Sequence, residues 1–377
     1  MIIVKGFQGM VKPNRMLAKK KRGRFPPPFC FYTMKRNPIA VISTDRHLKE
    51  ENALDLLDLS EQEIALAQKL KVKTVIWLGD IFDSRLSQRQ ELLNCLTLMI
   101  QMYHEAGLQI ICIPGNHDKT DYEDDDSFLT AYKYHPGFDL IETPQARVIG
   151  GVDFDFVPFY SVDMWLDKFA ELDPPPGLKS VLCSHTAVQG SINNDGKVVE
   201  NRIKTKLFNK YGKVLLGHYH NAQQPASNVF HLPSIRQNNF GEDEEKGFTV
   251  LYDDVSFDFV KSDFVPYREV KIDVATVTKA ELQKLHTEID DGVHSRVVLI
   301  GDQQAVKAVN KKWFTEHGIA VKAKYTDVEV TETEETEAVQ ELSGEDLKDK
   351  FEAFCTEKGY DYKEGFKLLK EIMKWQE

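Results

Sequence analysis

The chain alternates short apolar runs with segments of helical period. Ile39–Ser43 and Thr74–Leu78 are apolar runs of strand length, and Leu108–Ile113 is a third. Between them, Ser60-x-x-Glu63 has the form of a capping box opening a helix to about Lys71. Ser87-x-x-Gln90 opens a second to about Ala106, with Leu92, Leu93, Leu96 and Met99 at helical spacing. Such β-α-β-α-β alternation predicts an α/β domain, a parallel or mixed sheet with helices packed outside it. Further on the pattern is richer in strands. Val152–Val157, Ser180–Cys183, Lys213–Leu216, Val229–Leu232, Phe248–Leu251 and Ser256–Val260 are the candidates, and a second sheet packed on the first accounts for them.

From about Pro266 the pattern changes. Arg268–Val274 and Arg296–Ile300 read as strands, Thr278-x-x-Glu281 as a helix cap, 303–312 as a helix and 319–330 as strand: a small α/β unit. Residues 345–357 and 363–375 form two apolar-striped helices. The resulting division is a segment at 1–37, a main domain at 38–265, a small domain at 266–330, a linker at 331–344 and a helical tail at 345–377.

Charge changes this picture at both ends. Residues 1–37 hold ten Lys or Arg and no acid, so the net charge of −11 leaves the rest of the chain near −21. That basic segment reads as an extension outside the fold. Residues 327–346 hold nine acids and no base, the composition of a solvated linker. Bulk charge therefore gives no support for nucleic-acid binding, which needs local Lys and Arg. The five cysteines contain no C-x-x-C pair, and no apolar run reaches membrane-spanning length. The expectation is a reduced, cytoplasmic protein that does not enter a membrane.

The candidate chemistry sits at the ends of the apolar runs. In order come Asp45 and His47 (Thr-Asp-Arg-His), Asp80 (Gly-Asp), Asn116, His117 and Asp118 (Gly-Asn-His-Asp), His185 (Ser-His-Thr), and His218 and His220 (Gly-His-Tyr-His). Strand ends are where α/β sheets place their sites. A lone strand histidine is usually structural, and His104, His135, His231, His286, His294 and His317 are read so. The ordered set is different. Two aspartates, an asparagine carbonyl and four histidines are too many ligands for one tetrahedral ion, and they suit two manganese, iron or zinc ions better than calcium or magnesium. Two such ions clamp a phosphoryl oxygen and make water acidic, so the predicted reaction is attack of activated water on phosphorus. His117 is then free to protonate the leaving oxygen. Asp83 reads as a turn residue.

The five motifs, from Asp45 to His220, resemble the calcineurin-like metallophosphoesterase superfamily. The resemblance implies a four-layer αββα sandwich with a two-metal site. Asp45, His47, Asp80 and His220 would hold one ion, and Asp80, Asn116, His185 and His218 the other. His117 would act on the transition state, oriented by Asp118. Gly79-Asp-Ile-Phe-Asp83 with Arg85, and the stretch from His231 through Arg236–Phe240 to Phe248, are similar to SbcD-type DNA nucleases. That similarity implies exonuclease and endonuclease action on DNA with manganese. It also implies a homodimer, a capping domain after the catalytic one, and docking of an SbcC-type coiled-coil ATPase through the C-terminal helices. Leu48-Lys49 departs from the family's usual Leu-Gly without removing a ligand. Two other readings are a phosphatase or small-molecule phosphodiesterase of the same superfamily, and a scaffold that keeps the fold without the chemistry.

Overall fold

The computed structural model describes residues 36–173, 179–194, 196–277, 293–309, 311–316 and 319–326. The chain divides into two compact units between Pro266 and Tyr267. Residues 1–35 of the basic N-terminal segment, the helix expected after Thr278, the acidic linker and the C-terminal helices lie outside the described residues. The last two residues of the basic segment belong to the fold, Asn37 N–H donating to Asp253 Oδ1 at 2.9 Å and Arg36 pairing with Asp258 at 2.5 Å.

In the first unit, strands β1 (Pro38–Ser43), β2 (Thr74–Leu78), β3 (Gln109–Ile113) and β4 (Phe138–Leu140) run parallel. They are extended by antiparallel β11 (Gly247–Tyr252) and β12 (Phe257–Lys261) in the order β12-β11-β1-β2-β3-β4. The second sheet is built from β5 (Gln145–Ile149), β6 (Val152–Val157), β7 (Ser180–His185), β8 (Lys213–Gly217), β9 (Gln223–Ala226) and β10 (Val229–His231), ordered β5-β6-β7-β8-β10-β9.

Alternation along the strands assigns each side chain to a layer. Ala40, Ile42, Ile76, Leu78, Ile111 and Ile113 pack between the sheets against Phe154, Phe156, Val181, Cys183 and Leu215. Their neighbours Val41, Val75, Trp77 and Ile110 face outward onto α1 (Ala53–Leu70) and α2 (Gln90–Glu105). On the second sheet, Leu182, Val214 and Leu216 face outward onto Trp165 of α3 (Val162–Ala170) and onto Phe208. The result is the four-layer αββα sandwich, and every inner strand is buried on both faces.

Several boundaries differ from the sequence reading. α1 starts seven residues before Ser60, which sits in mid-helix and donates to the Leu56 carbonyl at 2.8 Å. Glu63 is fully buried against Arg46, so the apparent capping box is core chemistry. α2 begins at Gln90, and Ser87 does not cap it. The helix expected at 303–312 is two short ones, Gln303–Ala308 and Lys312–Glu316. β4, β5, β9 and α3 were not anticipated. β9 contains Pro225 on a sheet edge, where a missing N–H is tolerated. α3 has nine residues, shorter than the window over which a helical period is read.

The second unit holds a parallel sheet of β13 (Tyr267–Asp273), β14 (His294–Gly301) and β15 (Ala320–Tyr325). Ile272, Val297, Leu299, Val306, Phe314 and Ile319 form its core.

Candidate metal centre

The carboxyl ends of β1, β2 and β3 lie side by side in one sheet, and those of β7 and β8 in the other. Just past these ends the chain turns sharply. Asp45 (φ 54°), His47 (φ 47°), Asp80 (φ 52°) and His218 (φ 94°) all take left-handed backbone conformations. Such positions are unfavourable for non-glycine residues and persist where surrounding structure dictates them, often at functional sites. Here the amides of Asp45 and His47 donate to the carbonyls of Gly79 and Asp80 at 3.1 and 3.0 Å, so the two turns brace each other.

Two glycines permit this closeness. Gly79 has φ +82°, and a Cβ there would stand 2.5 Å from His185 Nδ1 and 2.7 Å from the Gly115 nitrogen. A Cβ on Gly115 would stand 2.2 Å from Asp80 Oδ1. Gly79→Ala is therefore expected to push His185 and the 115 turn apart, costing about 1–3 kcal/mol of strain. Thermal unfolding and metal titration of the variant would check both the stability loss and the displaced ligands.

The structure brings all seven expected ligand residues together. Asp45, His47 and His220 offer ligand atoms within 4.8 Å of one another, as do Asp80, His185 and His218. Asn116 joins the second set, its Oδ1 lying 3.2 Å from His185 Nε2 and 2.8 Å from His218 Nδ1. Asp80 Oδ2 reaches both sets, at 3.6 Å from His47 Nε2 and 3.3 Å from His185 Nε2.

The outward atoms of these rings identify what the inward atoms can do. His185 donates Nδ1–H to the Leu78 carbonyl at 2.6 Å. His47 and His220 present Nδ1 to Asp83 Oδ1 at 3.2 Å and to Glu242 Oε1 at 2.7 Å. In those tautomers, assigned from the partners, each Nε2 carries an inward lone pair. The Nε2 atoms of His47 and His220 face each other at 3.0 Å, with Asp45 Oδ1 3.9 and 3.8 Å away. Acceptors gathered against acceptors require positive charge between them, and mixed oxygen and imidazole donors fit a divalent transition metal. A proton answers the same demand: burial opposes it, but Asp80 and Asp45 outweigh burial and push His185 up to about 9. In the opposite direction, the His185, His117 and His47 rings hold the Asp80 carboxyl far below its usual range despite burial.

His117 lies beside this centre, its ring 4.6 Å from that of His47. Its Nδ1–H donates to the Asp83 backbone carbonyl at 2.5 Å, and its Nε2 accepts from Arg85 Nη2 at 2.9 Å. Burial lowers its pKa, and a ring that donates at Nδ1 while accepting at Nε2 is the neutral form. Asp118 does not orient it. The Asp118 carboxylate turns away and accepts from the amides of Ile81, Phe82 and Gly115 at 2.9, 2.9 and 2.8 Å. Burial and the neighbouring Asp80 push it up to about 7 against those donors. Its role is to tie the β2 and β3 turns together, while Asp83 does the orienting.

The third cluster of possible ligands, His47, Asp83 and His117, reuses these contacts and is a support to the centre. Sequence reading missed Glu242, the contact of Arg85 with His117 and the double duty of Asp83. The Arg236–Phe240 stretch braces the centre: Arg236 and Gln237 are buried, and Asn238 Nδ2 donates to the Asp45 carbonyl at 3.2 Å. His231, read as structural, is buried between the Gly217 carbonyl and the Ser191 hydroxyl, and burial lowers it to about 4. No helix among the described residues is long and apolar enough to cross a membrane.

Residues 39–222 match the sequence profile of the calcineurin-like phosphoesterases. The chain is 25% identical over 235 residues to the SbcD component of the SbcCD nuclease of Staphylococcus saprophyticus, covering 54% of this chain and 61% of that relative's length. Among solved structures it is similar to a dimetal phosphatase from Danio rerio (12% identical, 57% of this chain, 93% of that one, TM-score 0.37). It is also similar to nuclease MPE of Pseudomonas putida (16% identical, 48% of this chain, 62% of that one, TM-score 0.24).

Proposed function

Because the chain carries a calcineurin-like metallophosphoesterase domain, we propose that it is a metal-dependent DNA nuclease, the SbcD-type component of a DNA-end-processing complex. The observation that carries the hydrolytic part is the pair of acceptor clusters meeting at Asp80, with His117 against them and outside both. The choice of DNA is supported by the relation to the SbcD component of the SbcCD nuclease and by Arg85 following Gly-Asp-Ile-Phe-Asp. Asp45, His47, Asp80 and His220 would hold one cation and Asp80, Asn116, His185 and His218 a second, with manganese the proposed metal. Bound there, two divalent cations supply positive charge to the phosphoryl oxygens and make water acidic enough to attack near neutral pH.

The protein's own part follows from its hydrogen bonds. The Asp83 carbonyl fixes the His117 ring and commits Nδ1–H, so a proton for the leaving oxygen must travel on Nε2. That atom rests under the exposed Arg85 guanidinium, which Tyr122 also holds through its hydroxyl at 3.1 Å. Arg85 must swing aside for His117 to take up a proton and deliver it, and its exposure leaves it free to do so. A phosphate is the natural partner for the displaced guanidinium. The second unit would serve as a capping domain, with residues 340–377 the proposed dock for an SbcC-type ATPase and a homodimer the proposed assembly.

One observation favours a smaller substrate. Asp121, Glu123, Asp124, Asp125 and Asp126 flank Tyr122, and a long polyanion would meet them. The test is cleavage of linear duplex and single-stranded DNA with manganese, run beside nitrophenyl phosphate and a cyclic nucleotide. DNA cleavage that falls about 10²–10⁴-fold in His117→Ala is the expected result. Turnover of the small esters without DNA cleavage, even with an SbcC-type partner and ATP, would replace the nuclease reading with the phosphatase one.

A further inference from the structure

The two ligand sets that meet at Asp80 are backed differently. In the Asp45, His47, His220 set, both imidazoles that point Nε2 inward rest Nδ1 on a carboxylate, Asp83 at 3.2 Å and Glu242 at 2.7 Å. In the other set His185 rests on a neutral backbone carbonyl, that of Leu78 at 2.6 Å. His218 turns Nδ1 itself inward, onto Asn116 Oδ1. The first set also has a carboxylate of its own in Asp45, where the second has the neutral amide of Asn116. A carboxylate behind an imidazole fixes ring and tautomer and makes the inward nitrogen a stronger donor, and losing one typically costs 10–100-fold in metal affinity.

We propose that the two cation positions are unequal by construction: the Asp45/His47/His220 position fills first and tightly, the Asn116/His185/His218 position fills weakly, and Asp83 and Glu242 are the positioning residues that set the difference. The inference rests on the two-cation reading above. Its consequence is that one cation belongs to the resting protein, and the second is recruited at higher metal concentration or with the substrate phosphate.

The two carboxylates are not equivalent. The Glu242 side chain is 4% exposed and fixed from several sides, by the Asn238 amide at 3.2 Å, Asn239 Nδ2 at 2.8 Å and Lys246 Nζ at 3.1 Å. Lys246 cancels part of its charge, and Glu242 acts both by fixing the His220 ring and through the charge that remains. Lys246 also donates to the His220 carbonyl at 2.5 Å, which pins the ligand from its backbone side. Asp83 is 41% exposed, and solvent screens its charge. Glu242 should therefore matter more.

The test is calorimetric titration of the metal-stripped full chain with manganese. Two steps are expected, separated by at least ~10-fold in affinity. Glu242→Gln should weaken the tight step by about 10–100-fold and leave the weak step in place. Asp83→Asn should weaken the same step by less, and its position on an exposed turn keeps the test open if Glu242→Gln fails to fold. Restoring the carboxylate as Glu242→Asp should recover part of the loss, which a merely structural role would not predict. Two steps of equal affinity, or variants that weaken both steps alike, would overturn the proposal. Uptake of one cation per chain up to millimolar manganese would instead defeat the two-cation reading itself.

Discussion

Asp80→Asn is expected to silence hydrolysis, by on the order of 10³-fold or more, while leaving the domain folded. Asp80 is the carboxylate shared by both ligand sets, at 3.6 Å from His47 Nε2 and 3.3 Å from His185 Nε2. Its other oxygen accepts the His117 amide at 2.8 Å, so it also fixes the turn that carries His117. Asparagine keeps the size and tolerates the left-handed backbone at φ 52°. It removes the negative charge, and it either aims an N–H at one set of acceptors or leaves both with half their anchor. The charge stabilisation that two cations give a phosphoryl transition state is worth several kcal/mol, which sets the expected loss. Metal titration should show both steps weakened. Circular dichroism should be unchanged, because the variant also relieves the repulsion between Asp80 and the buried Asp118. Wild-type turnover in Asp80→Asn would sink the two-metal mechanism.

Much of this cluster could be read from the chain because its candidate ligands obey a local rule. Each closes or follows a buried, strongly apolar strand, so pattern and chemistry coincide at Asp45, Asp80, Asn116, His185 and His218. The supports obey no such rule. Glu242 meets His220 across an irregular loop, and Arg85 meets His117 from a different strand end, so spacing carries no trace of either contact. Asp83 was visible but undervalued, since its carboxylate and carbonyl serve different histidines. Asp118 misled through adjacency. It follows His117 on a 3-10 turn, Asn116–Asp118, that carries its side chain away from the imidazole and onto the neighbouring turn. The sandwich was legible from two-sided burial of the inner strands. The edge strands β5 and β9 were not, because all their side chains but Ile149 are only partly buried or exposed, with little apolar contrast.

The largest stability effect is expected from Glu63→Ala, at about 3–5 kcal/mol. Arg46 stands between Asp45 and His47 in the first motif, and its side chain is fully buried. Its guanidinium lies 2.5 Å from Glu63 Oε2 and 4.1 Å from the Trp77 ring, and the Tyr103 hydroxyl donates to the same Glu63 oxygen at 2.5 Å. Removing Glu63 strands a charge in the α1, α2 and sheet core, where no solvent replaces the lost partner. The damage should not stop at stability. Arg46 is the anchor that holds the chain while the residues on either side take positive φ, so the turn presenting Asp45 and His47 depends on it. Urea unfolding of the metal-stripped protein should show the loss, and manganese titration of the folded fraction should show a weakened tight step. Replacing both partners with apolar residues, Arg46→Met with Glu63→Leu, removes the buried charge and should recover most of the stability. If cation affinity recovers with it, packing beneath the turn is what shapes the ligands. If affinity stays low, the guanidinium itself does so, through its bond to Ser43 Oγ at 3.0 Å and its stacking on Trp77. A Glu63→Ala cost below about 1 kcal/mol would mean that the core admits water to Arg46, and the anchoring argument would fall.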